Sequence, residues 1–244
     1  AYQVTGNSAY AQKVIEVLDH LDGENLNPFS SASWGSNSGY ALRYVGPALA
    51  IGYDWIYDVI PSAKKTSYIN QINQYYQWYS VYGYEVNGPA IGNFFSSWVE
   101  FATMAGYATY GDNPDATTII NASKNLMNTR VLPFYANEYR GGDNIEGWSY
   151  GQSHTTRLIS TVLTFRTAEG VDFLPSFPYL REVVYALIHQ LKPGLRYFSD
   201  HGDWPATYSG AVIFDDMLMH LGYLFKGTKE GRYMQYYLNN AYKP

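Results

Sequence analysis

Residues 62–82 read SAKKTSYINQINQYYQWYSVY, behind Ile60-Pro61 and ahead of Gly83. The stretch has no internal Gly or Pro, and Ile69, Ile72, Tyr76 and Tyr79 recur at the three- and four-residue steps that share one face of a helix. A strand would alternate in twos, and this stretch does not. The reading is a helix over residues 63–82, capped by Ser62 and ended at Gly83.

The same rhythm continues on both sides. A first helix is expected over residues 8–21, started by Asn7 or Ser8 and stopped at Gly23. Residues 25–39, rich in Ser, Asn and Gly around Trp34, read as a loop, and a second helix covers about 40–57. Downstream, residues 91–110 carry the apolar stripe Phe94, Trp98, Phe101 and Ala105. Gly111-Asp112-Asn113-Pro114 forms a turn in which Asn113 caps the next helix, which runs to about residue 132. A glycine loop over 140–146 feeds a helix at 148–169. Pro178 opens another, which closes near 192–194. After the irregular stretch 196–210, two last helices cover about 212–225 and 229–241. No segment alternates with period two, so little or no sheet is expected. The fold class is all-α, as successive antiparallel helix pairs. Such pairs curve into an (α/α) toroid, and roughly four fit this length, an incomplete ring. No composition break divides the chain, so residues 1–244 are read as a single domain.

Apolar residues make up 46% of the chain and charged residues 15%, the balance of a packed core rather than of disorder. The net charge of −5, without a Lys/Arg cluster, argues against a nucleic-acid partner. No apolar run approaches the ~20 residues of a membrane span. Cys is absent, which excludes disulfides and Cys-ligated zinc, and no EF-hand or HExxH signature offers another metal site, so no metal or cofactor is expected. Absence of Cys and a start at Ala1 are compatible with a secreted or periplasmic protein whose signal has been removed. The unusual quantity is the 26 Tyr, with 11 Phe and 6 Trp. Most must pack between helices, but an apolar face with a polar edge also suits stacking on sugar rings.

Five segments resemble, in order and spacing over residues 40–205, the helical toroid of heparinase II/III-like polysaccharide lyases. Residues 49–58, LAIGYDWIYD, resemble the helix that carries the family's Tyr-Asp-Trp. Residues 92–98, GNFFSSW, resemble its Asn-bearing helix start, and residues 107–112, YATYGD, a later turn. Residues 142–150, GDNIEGWSY, are similar to its Glu-Gly…Tyr element, and residues 198–204 to its Phe…Gly-Asp strip. The family usually continues into a C-terminal β-sandwich, which this sequence lacks, so a fragment or a minimal relative is expected. The aromatic closing segment 225–244, with Tyr233, Tyr236, Tyr237 and Leu238, is then expected to be covered by a partner chain or a further domain.

The resemblance implies β-elimination on a uronic-acid-containing polysaccharide. That reaction removes the proton α to a carboxylate, so charge building on the carboxylate must be offset by Asn, His or Arg donors, while a Tyr or His moves the proton. Tyr150, after the Glu-Gly, matches the family's base and acid. Asn93 matches its carboxylate-binding Asn, a helix cap being the alternative. His154 shares a helical face with Tyr150 and His201 lies in a polar loop; either is a candidate where some relatives carry a His just after the Asn and this chain carries Phe94 and Phe95. Arg140 and Arg157 are candidate carboxylate partners. Trp98, Trp148 and Trp204 are candidates for sugar stacking, each with core packing as the alternative. Glu146 echoes the family and also suits a helix N-terminus. Asn93, Tyr150 and His201 are expected to converge on one concave face.

Two other functions fit the same residues. A glycoside hydrolase on an α/α barrel would need paired carboxylates, such as Glu146 with Asp203 or Asp143 with Asp200. A non-catalytic glycan-binding helical domain would need neither.

Overall fold

The computed structural model of the chain describes residues 1–23, 41–195, 199, 202 and 215–240. The loop expected around Trp34, and His201, Trp204 and the acids Asp200 and Asp203, lie outside the described residues. Among those described there are helices and turns and no strand, the all-α class that the periodicity predicts. No helix among them is long and apolar enough to cross a membrane.

The chain falls into two compact units, one of Ala1–Gly88 with Ser97–Asn125 and one of Pro89–Ser96 with Leu126–Pro244. Composition carries no trace of this division, because it arises from which helices pack together.

The first unit holds α1 (Tyr2–Thr5), α2 (Ser8–Gly23), α3 (Leu42–Trp55), α4 (Ser62–Tyr82), α5 (Asn93–Ala108) from Ser97 onward and nearly all of α6 (Ala116–Leu126). Asn7 Oδ1 accepts the Ala9 N–H at 3.0 Å, so Asn7 rather than Ser8 caps α2. Ser62 does not cap α4. It is the first helical residue, Pro61 occupies the cap position with extended backbone, and no side chain caps the end. In α4 the apolar face turns slightly from its expected line: Tyr68, Ile69, Ile72, Tyr75, Trp78 and Tyr79 are buried and Tyr76 is half-buried. The Trp98 ring lies 5.3 Å from Tyr79 and 5.0 Å from Tyr76, and Phe101 meets Tyr75 edge-on at 6.2 Å. Asn113 caps as expected, its Oδ1 accepting the Asp115 N–H at 3.0 Å.

The helix after that turn does not stop near Leu132. It passes through a π-helical segment, Met127–Val131, into α7 (Leu132–Asn137), with Pro133 in the first turn. A proline ring collides with the carbonyl four residues back in a regular helix. Here that carbonyl belongs to Thr129, inside the π segment, and the wider turn relieves the collision.

The second unit comprises this segment with α7, α8 (Gly147–Glu169), α9 (Pro178–Gln190), α10 (Asp215–Leu224) and α11 (Lys229–Asn240). α10 packs on α8 and on α11, and α9 packs on α7 and α11. Tyr135, Tyr139, Phe177 and Tyr179 form its aromatic centre, the Tyr135 ring lying 4.7 Å from Tyr179 and 5.3 Å from Phe177.

Candidate functional site

The second unit brings Asn93, Glu146 and Gly202, one residue from each of three motif segments, to the start of α8. Asn144 sets the approach. Fully buried, it accepts the Glu146 N–H on its side-chain oxygen at 2.9 Å and the Gly147 N–H on its backbone carbonyl at 2.8 Å. This Asx-type turn delivers the Glu146 side chain to the first residue of α5. The Asn93 backbone N–H donates to Glu146 Oε2 at 3.0 Å, and Asn93 Nδ2 donates to Oε1 at 3.1 Å. A carboxylate from one motif therefore caps the helix opened by another, where unpaired N–H groups and the helix dipole favour negative charge. The Asn93 amide donates here, and the Glu146 carboxylate accepts at the helix start.

Gly202 closes the arrangement. A Cβ at this position would lie 2.3 Å from the Gly147 nitrogen and 2.5 Å from the Glu146 carbonyl carbon. The backbone at 202 thus rests directly on the entry to α8, with a φ of +78° that L side chains rarely adopt.

Tyr150 stands in the first turn of α8, half-buried and so within reach of solvent. His154, one turn further, is fully buried. Its ring stacks parallel to Tyr139 at 6.3 Å and lies 5.5 Å from Tyr135. Among the described residues, neither ring nitrogen has a hydrogen-bond partner, nor does the Tyr135 hydroxyl. Burial holds the His154 pKa down to about 4. The neighbouring Arg157 charge also lowers it, and the Gly92 backbone pulls the other way without a well-formed hydrogen bond. His154 is therefore a neutral core side chain, not one facing a cleft beside Tyr150.

Arg157 is 9% exposed and donates from Nε to Ser153 Oγ at 3.3 Å, while Arg140 is exposed in the turn before Gly141. Trp98 and Trp148 are each 2% exposed. Trp98 packs against the α4 tyrosines, and Trp148 donates its indole N–H to Gln190 Oε1. Neither has a face open for sugar, and removing such a buried ring costs about 3–5 kcal/mol of stability. Both belong to the core.

In the first unit, two further motif segments are tied together. The hydroxyl of buried Tyr53 donates to Asp112 Oδ2 at 3.0 Å. Hydrogen bonds from Tyr57 and Tyr53 hold the Asp112 carboxyl below its ordinary range. Trp55, from the same motif, is 53% exposed.

Sequence reasoning passed over Arg130. It lies in the π segment with its guanidinium 4.3 Å above the Phe95 ring, in the first turn of α5, and lines a cleft of about 360 Å³ with Thr129, Pro133 and Asn137. Partial burial lowers its pKa. Its sequence context, Asn128-Thr129-Arg130-Val131, has no motif to announce it. Asn144 was passed over too, although an Asn shortly ahead of a helix start suits an Asx turn. No group of three or more His, Asp or Glu placed to hold a metal occurs among the described residues.

In comparisons with known proteins, no family model and no curated protein matches the chain.

Proposed function

We propose that the chain is a polysaccharide lyase that cleaves a uronic-acid-containing polymer by β-elimination, on a helical scaffold of the incomplete (α/α) toroid kind. The observation that carries this reading is the meeting of Asn93, Glu146–Gly147 and Gly202 at the first turn of the helix that bears half-buried Tyr150. Separate stretches resemble separate elements of one lyase family, and in this chain they touch.

In the proposed reaction Tyr150, acting as the phenolate, takes the proton from the carbon α to the uronate carboxylate. The electron pair left behind forms the new C=C bond, the bond to the glycosidic oxygen breaks, and the tyrosine returns a proton to that oxygen. Asn93, its amide held by Glu146, is assigned to the substrate carboxylate, where a donor fixed in advance stabilises the charge that develops. His201, Arg140 and Arg157 remain proposed partners of the same carboxylate. Arg130, beside Phe95, joins them as a cation close to the helix start where the family's extra His is missing. A secreted or periplasmic location goes with such a substrate.

A second reading is a glycan-binding domain without catalysis. It is favoured by the burial of His154, which removes one proposed proton carrier, and by the use of Glu146 as a helix cap. The test is a panel of alginate, glycosaminoglycans and plant polyuronates followed by ultraviolet absorbance. A lyase produces an unsaturated, absorbing chain end. A hydrolase shortens the polymer without absorbance, and a binding domain does neither.

A further inference from the structure

A second concave surface lies in the same unit, between α9 and α11. It is a groove of about 500 Å³ walled by Tyr185 and Ile188 on one side and Tyr233 and Tyr236 on the other, with Lys192 also in its lining. Tyr236 is 62% exposed and Tyr233 is 44% exposed. Three residues apart on one helix, they turn neighbouring faces outward. Tyr185 is held from behind: its hydroxyl donates to Glu230 at 2.8 Å, and its ring meets Tyr233 edge-on at 6.4 Å. Tyr185 is therefore a fixed aromatic wall, against which Tyr233 rests.

The charge at this place opposes that of the whole chain. Residues 178–195 and 226–240 contain five Lys or Arg and two Glu, in a protein of net charge −5. Both acids are engaged within the fold, Glu182 by the Gly141 N–H and Glu230 by Tyr185 and Arg181. The cations Lys192, Lys229 and Arg232 are exposed, and Arg232 precedes Tyr236 by one helical turn. An apolar aromatic floor with a cationic rim matches a sugar ring that presents C–H groups on its face and a carboxylate or sulfate at its edge.

We infer that this groove is a glycan-binding platform separate from the Tyr150 site, taking a segment of acidic polysaccharide by stacking on Tyr233 and Tyr236 under Lys192 and Arg232. The inference deepens the proposed lyase reading and rests on its choice of an acidic glycan. A platform of this kind holds a long polymer to the protein between cleavage events, so its effect grows with chain length.

The experiment is affinity electrophoresis in gels containing alginate, hyaluronan or polygalacturonate, with dextran as the neutral control. Tyr150→Phe protein is compared with the same protein also carrying Tyr233→Ala and Tyr236→Ala. Both tyrosines are exposed, so the fold should persist, which circular dichroism checks. The expected result is retardation by at least one acidic polymer and none by dextran, with apparent affinity about tenfold weaker once the tyrosines are removed. Equal retardation with and without them overturns the platform, as does no retardation by any acidic polymer. Cleavage by wild-type protein, read by absorbance, is scored separately. Binding that needs the tyrosines without any cleavage keeps the platform and rejects the lyase reading, while cleavage with tyrosine-independent binding does the reverse. A dimer in sedimentation that the two substitutions dissociate, with binding unaltered, assigns the groove to a second copy of the chain and overturns the proposal.

Discussion

Asn93 and Glu146, 53 residues apart in sequence, meet through two hydrogen bonds in which both nitrogens of Asn93 donate to the two oxygens of one carboxylate. The backbone bond caps α5. The side-chain bond fixes the rotation of an amide that stands at the start of that helix. One carboxylate thus caps a helix and orients the amide assigned to the substrate in the proposed reaction, so the residues should be coupled energetically as well as geometrically.

That coupling is measurable. Asn93 is buried and Glu146 half-buried, and hydrogen bonds to a charged group contribute about 1.5–3 kcal/mol where water is excluded. In a double-mutant cycle of Asn93→Ala and Glu146→Ala, followed by urea unfolding, an interaction of about 1–2 kcal/mol is expected. Single losses that add to within about 0.5 kcal/mol would show the contact to be incidental.

Tyr150→Phe tests the assignment of the proton carrier. The substitution keeps the ring and its half-buried packing and removes the hydroxyl. Turnover on a cleaved polyuronate should fall by at least about a hundredfold, the typical worth of a positioned acid–base group, with the melting temperature almost unchanged. Near wild-type turnover in the Phe variant would move the chemistry elsewhere.

His154 should make the second unit acid-sensitive. Its folded pKa of about 4 lies below the ordinary value of 6.5. Between those values the unfolded chain binds a proton that the folded one refuses, so stability is complete above about pH 6.5 and is lost as pH falls toward 4. Over pH 6.5 to 5 the loss is roughly 1–2 kcal/mol. His154→Phe keeps a ring against Tyr139 and removes the titration. Unfolding curves at pH 7 and pH 5 should show the wild type weakening more than the variant; parallel weakening would exclude His154 as the source. Carboxyls held low, such as Asp112, act in a more acidic window, since their stability is lost only as pH falls through their own depressed values.

Most helices were legible because their signals are local. The 62–82 stretch, Asn113 ahead of Pro114, and Pro178 each fix an element through neighbouring residues, and the structure places helices there. The π segment at Met127–Val131 was not legible, because a slip of one residue per turn barely alters the apolar pattern and only the carbonyl geometry around Pro133 reveals it. Trp98 and Trp148 were ambiguous for another reason. A tryptophan on a helix has the same spacing whether it faces a groove or a neighbouring helix; the stacking tyrosines of α4 settle which for Trp98, and burial with an indole bond to Gln190 does so for Trp148. At the site, Asn93, Glu146 and Tyr150 stood out one by one through the family resemblance. Their mutual arrangement depends on contacts across more than fifty residues, and local patterns do not encode such distances.

Gly202 and Gly170 separate backbone conformation from contact. Gly170 ends α8 with a φ of +75° and would present an alanine Cβ to open space, with nothing within 4 Å. Gly202 has nearly the same φ, +78°, but its Cβ would fall 2.3 Å from the Gly147 nitrogen, against backbone that no rotamer change can move. Gly170→Ala should therefore cost only the left-handed penalty of about 1–2 kcal/mol. Gly202→Ala carries the same penalty plus a collision, and the backbone at 202 must lift away from the entry to α8. If that backbone completes the site around Tyr150, Gly202→Ala should depress turnover far beyond what its loss of stability predicts, while Gly170→Ala leaves turnover nearly intact. The comparison needs urea unfolding and polymer cleavage on both variants under the same conditions. Equal effects of the two alanines on turnover would mean that the contact of Gly202 with Glu146 and Gly147 has no part in the chemistry.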